Sequence, residues 1–276
     1  MWWFQQGLCF LPALLVVWTA ASFIFAYVTA VLLRHVDPLV PYISDTGTMA
    51  PERCVFGIML DVSALLGMAT VYVRYKQVEA LTDNSELHLH RLNRFGLLLG
   101  VCSSLGMCVV ANFQKTTLFS VHLLGAVLTL GVGALYILVQ TVLSHYMQPH
   151  VHSRSVFVVR LAIWLWTLIS IVSMFVSSVI MYSSLPGVDV AHKLHWTPGE
   201  TGYTAHIIST VCEWSLAFSF ISFFLTYIQD FQKINLRAEV DMQSSHLYDS
   251  PHQSFAALHD KSEASESSPL LLSGAT

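Results

Sequence analysis

Six uninterrupted apolar stretches, at roughly 8–33, 54–73, 95–113, 118–143, 156–182 and 206–228, decide what this chain can fold into. At about 1.5 Å of rise per residue, each has about the length that crosses a hydrocarbon core of about 30 Å as a helix. Within lipid the backbone must satisfy its own hydrogen bonds, so helices and closed barrels are the available solutions. The runs are continuous rather than alternating, which points to helices. The expected fold class is therefore all-α: a polytopic integral membrane protein whose six-transmembrane-helix bundle occupies residues 1–232. Charged residues make up 11% of the 276, far below the roughly one quarter of a soluble domain. The net charge of −4 is spread out with no basic stripe, so no nucleic-acid partner is expected.

The first run has no basic residue ahead of it and is too long for a signal-peptide core, so it reads as a retained first helix. Six spans put the N-terminus, the 2–3 loop, the 4–5 loop and the C-terminal segment on one side. That side carries Arg74, Lys76, Arg91, Arg94, Arg154, Arg160, Lys233, Arg237 and Lys261, against Arg34, Arg53, Lys115 and Lys193 opposite. Basic residues favour the cytosolic side, so both termini are expected to be cytosolic. Trp2, Trp3 and Phe4 suit an interfacial anchor there. Pro186-Gly187 and Pro198-Gly199 break the connection between the fifth and sixth spans. Residues 233–276 turn Ser-, His- and acid-rich and read as a disordered cytosolic tail.

The third and fourth spans carry small residues at four-residue spacing, Gly96, Gly100 and Ser104 on one and Gly125, Thr129 and Gly133 on the other. Small residues let helices approach closely in lipid, and the connector at Gln114-Lys115-Thr116 is short. A tight antiparallel hairpin is expected.

Ionisable groups inside spans are costly and face the bundle interior or a wet cavity. Asp61 in the second span, His122 in the fourth and Glu213 in the sixth all fall in the half nearest the non-cytosolic side. His206 and Ser209 share a helical face with Glu213. These five residues together form a candidate polar vestibule facing the lumen. In one reading the carboxyls only fix helix packing; in the other the vestibule senses protons, holds an ion or receives a lipid headgroup. His122, His192, His195 and His206 would charge in an acidic compartment, an imidazole titrating near pH 6.5.

Catalytic signatures are absent: no G-x-S-x-G, no H-E-x-x-H and no Gly-rich phosphate loop occurs. No metal and no cofactor is expected. His206 and Glu213 stand about 10 Å apart along a helix, too far for one ion. His145, His150 and His152 match no zinc spacing and read as a solvated loop. The five cysteines form no CxxC pair, and an odd count argues against a disulfide framework.

The tail offers Glu266 four residues before Leu270-Leu271, an arrangement that resembles the acidic dileucine sorting signal of clathrin adaptors. An extended peptide of this kind gives one carboxylate to a basic patch and two leucines to apolar pockets. Serines at 262–268 are candidates for phosphorylation beside it.

Several ordered segments resemble the DNA-damage-regulated autophagy modulators, within the Frag/DRAM/Sfk membrane family. They are MWWFQQG at 1–7, PYISDTGT at 41–48, YVRYKQV at 72–78, NFQKTTLF at 112–119, KLHW at 193–196 and FLTYIQDFQKI at 224–234. The resemblance implies a lysosomal or late-endosomal protein, with the plasma membrane a further location, that promotes autophagy and sometimes cell death. It supplies no catalytic residue. Other branches of the family imply a link to membrane lipids. Three functions are therefore carried forward. The first is a non-enzymatic modulator that engages autophagy or trafficking proteins through its cytosolic surfaces. The second is a lipid sensor, scramblase or remodelling factor, and the third a proton-linked channel or transporter, which unbroken spans disfavour.

Overall fold

The structure, a computed structural model, describes residues 7–83, 85–148 and 152–234. Six helices are long and apolar enough to cross a membrane: α1 (Phe10–Leu32), α2 (Glu52–Leu81), α3 (Leu87–Asn112), α4 (Phe119–Tyr146), α5 (Arg154–Ser184) and α6 (Tyr203–Phe231). No strand occurs among the described residues. The chain is thus a multi-pass helical membrane protein. Trp2, Trp3, Phe4, His150, Arg237, Lys261 and the tail with its serines, Glu266, Leu270 and Leu271 lie outside the described residues.

Each helix packs on the next, and α6 closes the ring against α1. At the end that carries the two termini, α2 runs past its apolar stretch to Leu81, and α3 starts ahead of its own at Leu87. Polar contacts sustain these extensions. Tyr75 and Lys76 both bond Glu79 at 2.8 Å, and the Asn93 amide donates to the Tyr75 carbonyl at 2.9 Å.

The α3–α4 hairpin is closest at Gly106, where a Cβ would stand 2.6 Å from the Leu128 Cβ and 2.7 Å from the Thr129 nitrogen. Gly125 approaches Val109 and Val110, and Gly96 approaches Val139 and Gln140, so both lie on this interface. Gly100 meets Val71 of α2 as well as Tyr136 of α4, Ser104 approaches Gly67 of α2, and Gly133 meets Phe220 of α6 as well as Ser103 of α3. A four-residue stripe drifts by about 40° per step around a helix of 3.6 residues per turn, which carries it from one neighbour to the next. Thr129 lies in a π-helical segment, Val127–Val132, inside α4. The altered winding leaves the Thr129 carbonyl to accept from the Ser103 hydroxyl at 2.9 Å. Hydropathy carries no trace of this defect, and the fourth span reads as regular from sequence.

Helix α5 buries a narrow stripe, Arg160, Ile163, Thr167, Ser170, Ser177 and Met181, at steps that keep one face toward α6. The contact is a ladder of hydroxyls: Thr167 to Ser219 at 2.9 Å, Ser170 to Ser215 at 3.0 Å and Ser178 to Ser209 at 2.7 Å. The Trp166 indole donates to Ser215 at 2.7 Å. Lipid offers no hydrophobic drive between helices, so packing and hydrogen bonds of about 0.6 kcal/mol each hold them together.

Candidate functional site

The end of the bundle opposite the termini is covered by the α1–α2 connection. Pro41, Ile43 and Asp45 to Thr48 are buried there. The chain enters this segment through Val40, whose φ of +43° is a left-handed conformation that a β-branched residue rarely adopts. Contacts from other helices hold it in place. The Ile43 N–H donates to the Glu213 carboxyl at 2.6 Å, and the Trp214 indole donates to the Pro41 carbonyl at 2.8 Å. Asp45 is paired with Lys115 from the α3–α4 turn, both buried. Burial pushes the Asp45 carboxyl above the ordinary range, and the Lys115 ammonium pulls it back. Glu52 opens α2 fully buried and meets His35 at 2.5 Å. Asp37 accepts from the Trp196 N–H at 2.6 Å and bonds the His195 ring at 3.0 Å. The 41–52 stretch is therefore a packed cover with identified partners.

The five candidate vestibule residues are distributed among four surroundings. His206 stacks under Trp196 with centroids 4.2 Å apart and an interplanar angle of 9°, and Tyr42 meets its edge at 5.3 Å. Ser209 is spent on the hydroxyl ladder to Ser178. Asp61 stands apart, half-exposed, its carboxylate oxygens accepting from the Asn112 amide nitrogen at 3.0 and 3.1 Å, while that amide also donates to the Cys108 carbonyl. Only His122 and Glu213 line one cavity together. His192 and His195 lie in exposed contacts with Asp189 and Asp37, whereas His122 and His206 are buried. Among the described residues no group of three or more His, Cys, Asp or Glu is placed to hold a metal.

Glu213 latches the cover to α6, and this fixes what its substitutions do. Glu213→Gln keeps an oxygen for the Ile43 N–H and is expected to leave the thermal unfolding midpoint of the purified protein nearly unchanged. Glu213→Leu strands a buried N–H and is expected to cost about 1–3 kcal/mol, read as a lowered midpoint in detergent. Equal midpoints for the two variants would remove the latch.

Two adjoining cavities lie between the helices. One, about 110 Å³, lies between α1, α2, α3, α4 and α6, bounded by Leu15, Val71, Tyr136 and Phe224 among others. The second, about 90 Å³, shares Phe23, Met107, Thr129, Leu130 and Ala217 with it and reaches Ser44, His122 and Glu213. The His122 Nδ1 bonds the Phe113 carbonyl at 2.7 Å and must carry the proton there, which leaves Nε2 an acceptor.

The terminal end holds a charged cluster buried among four helices. Arg74 and Arg160 are both 0% exposed, and both guanidiniums reach one carboxylate, Asp230, at 3.3 and 2.6 Å. Gln140, Gln77 and the His152 ring satisfy the other donors of Arg74. Ser144 and Thr226 do so for Arg160. The tyrosines 136 and 227 share a 2.9 Å bond beside them, and the Tyr227 ring lies 5.4 and 5.1 Å from the two guanidinium carbons. His152 is buried in this cluster, which corrects its reading as part of a solvated loop; His145 does lie exposed, against Phe157. Burial and the neighbouring Arg74 push the His152 imidazole down to about 4, so it sits there neutral. Arg74 and Arg160, which enter the sequence argument only as orienting charges, are the centre of the best-connected polar site in the molecule. Their signal was periodic: Arg160 heads the buried stripe of α5, and Arg74 lies four residues after Thr70 and seven after Gly67, on the inward face of α2.

Comparison with known proteins places these features in a lineage. The Frag1/DRAM/Sfk1/Cwh43P N-terminal domain matches residues 7–234. The chain is 57% identical over 249 residues to DNA damage-regulated autophagy modulator protein 2 of Rattus norvegicus, covering 90% of this chain and 93% of the relative. It is 41% identical over 239 residues to DNA damage-regulated autophagy modulator protein 1 of Homo sapiens, covering 87% and 97%. It is 27% identical over 227 residues to the modulator of macroautophagy TMEM150B of Danio rerio, covering 82% and 86%. No solved structure matches.

Proposed function

Because the chain belongs to the Frag1/DRAM/Sfk1/Cwh43P family, among its DNA damage-regulated autophagy modulators, we propose that it promotes autophagy from the lysosomal or late-endosomal membrane as a non-enzymatic modulator. Both termini face the cytosol in this reading, and autophagy or trafficking proteins engage the 2–3 loop and the tail. A link to cell death belongs to the same proposal. The observation that carries it is likeness across 90% of the chain to a relative named for modulating autophagy. The internal polar groups support it, since Arg74, Arg160, Asp230, Glu213 and the hydroxyl ladder are engaged in holding helices together.

Sorting would rest on Glu266, Leu270 and Leu271 bound by a clathrin adaptor. Null cells rescued with wild type, with Leu270→Ala/Leu271→Ala, or with the chain ended after residue 235 test both parts. The dileucine variant is expected at the plasma membrane, and the truncated chain, retargeted to lysosomes, is expected to leave autophagic flux low. Normal lysosomal arrival of the first variant would end the sorting role. Full flux from the second would end the role of the tail.

A further inference from the structure

The two cavities adjoin through five shared lining residues, and taken together as a tunnel they have a length, walls and end groups that describe a ligand. Membrane proteins, like soluble ones, are packed with few voids larger than a water molecule, so adjoining cavities of about 110 and 90 Å³ call for an occupant. Along α6 the lining runs from Glu213 to Phe224, about 16 Å at helical rise, or about half of a 30 Å hydrocarbon core. A lipid that spans one leaflet has this length.

The head end restricts the class further. Residues 43–48 cover the bundle there, with Ile43 and Ser44 in the lining. Neither cavity is lined by lysine or arginine, so a phosphate finds no countercharge, and the Glu213 carboxyl disfavours an anion. Glu213 and the His122 Nε2 are acceptors, which a hydroxyl satisfies as donor. The apolar walls, with Phe23, Phe220 and Phe224, suit a hydrocarbon body.

We propose that this tunnel binds one neutral, hydroxyl-headed membrane lipid of the sterol type, its hydroxyl against Glu213 and His122 and its apolar body between α1, α3 and α6. The inference is independent of where in the cell the protein acts and of which proteins it engages.

The test uses the full-length protein in lipid nanodiscs with photoactivatable cholesterol, and photoactivatable phosphatidylcholine as the comparison. Cholesterol is expected to label peptides containing Met107 and Leu130, saturably, and to be displaced by excess unlabelled cholesterol. Ala217→Phe places a ring at the junction of the two cavities and is expected to cut that labelling about tenfold, equivalent to about 1.4 kcal/mol. Leu130→Phe fills the same junction from α4 and serves where the first variant does not melt as wild type. Labelling confined to the outward face of α5 around Phe175, labelling unchanged in a well-folded filled variant, or equal capture of phosphatidylcholine would each overturn the proposal.

Discussion

Asp230→Asn is expected to destabilise the bundle by about 3–5 kcal/mol, the cost of stripping the counterion from a buried charge. The substitution preserves shape and can still accept hydrogen bonds, so what it removes is charge. In the native cluster two fully buried guanidiniums share a single carboxylate, and His152 contributes no negative charge to offset them. Without Asp230 two positive groups face each other across α2, α5 and α6 with only amides, hydroxyls and ring faces around them. Removing one arginine as well should recover part of the loss. The double variant Arg160→Met/Asp230→Asn is expected to melt above the sum of its single variants, a coupling that a double-mutant cycle in detergent measures directly. Additivity of the two single effects would mean that the carboxylate does not act on Arg160 at all, and the short contact of 2.6 Å would lose its energetic meaning.

How much of this was legible beforehand differs between the lipid-facing and the inward-facing residues. The spans stand out because hydropathy is an average over many side chains, and lipid enforces it at every exposed position. Val172, Phe175, Val176 and Val179 of α5 are exposed and carry that average plainly. Partnerships are set by single residues at long separation, and these the average conceals. Nothing local in the sequence says that Glu213 meets the backbone of Ile43, or that Asp45 meets Lys115. The vestibule residues share a depth, which the sequence does reveal, but not a direction around each helix. Asp61 and Glu213 come from different faces, and so one pairs with Asn112 while the other lines the tunnel. The serine ladder was readable in principle, because two of its rungs, Thr167 and Ser170, follow the buried period of α5. It needed the inward face of α5 to be treated as a polar seam, where a hydrophobic stripe is the usual expectation in water.

Lys115→Met is expected to be the second severe change, and its severity should depend on pH. It leaves Asp45 buried without its ammonium, a loss of about 3–5 kcal/mol where the carboxylate stays ionised. Asp45 is already pushed above its ordinary value of 3.8 by burial, with Lys115 the main opposing influence. Once Lys115 is gone the carboxyl rises further and takes up a proton at a higher pH. A carboxyl raised in the folded state binds protons more tightly there than in the unfolded chain. Its protonation therefore favours folding at low pH, and that advantage disappears as pH rises through the folded value. The variant should thus lie nearest to wild type in acid and fall away toward neutrality. Tyr42, Tyr182 and Glu213 are the other titratable groups that feel Asp45, and none supplies a positive charge to replace the lysine. Thermal unfolding of both proteins at about pH 5 and about pH 7, on either side of the imidazole range, reads the difference. A gap between variant and wild type that is the same at both would mean that Lys115 acts through packing against Tyr42, whose ring lies 5.4 Å from its ammonium, and not through the charge of Asp45. A gap that widens toward neutrality makes the cover over the tunnel an electrostatic clasp, most tolerant of a lost lysine under the acid conditions proposed for the compartment it faces.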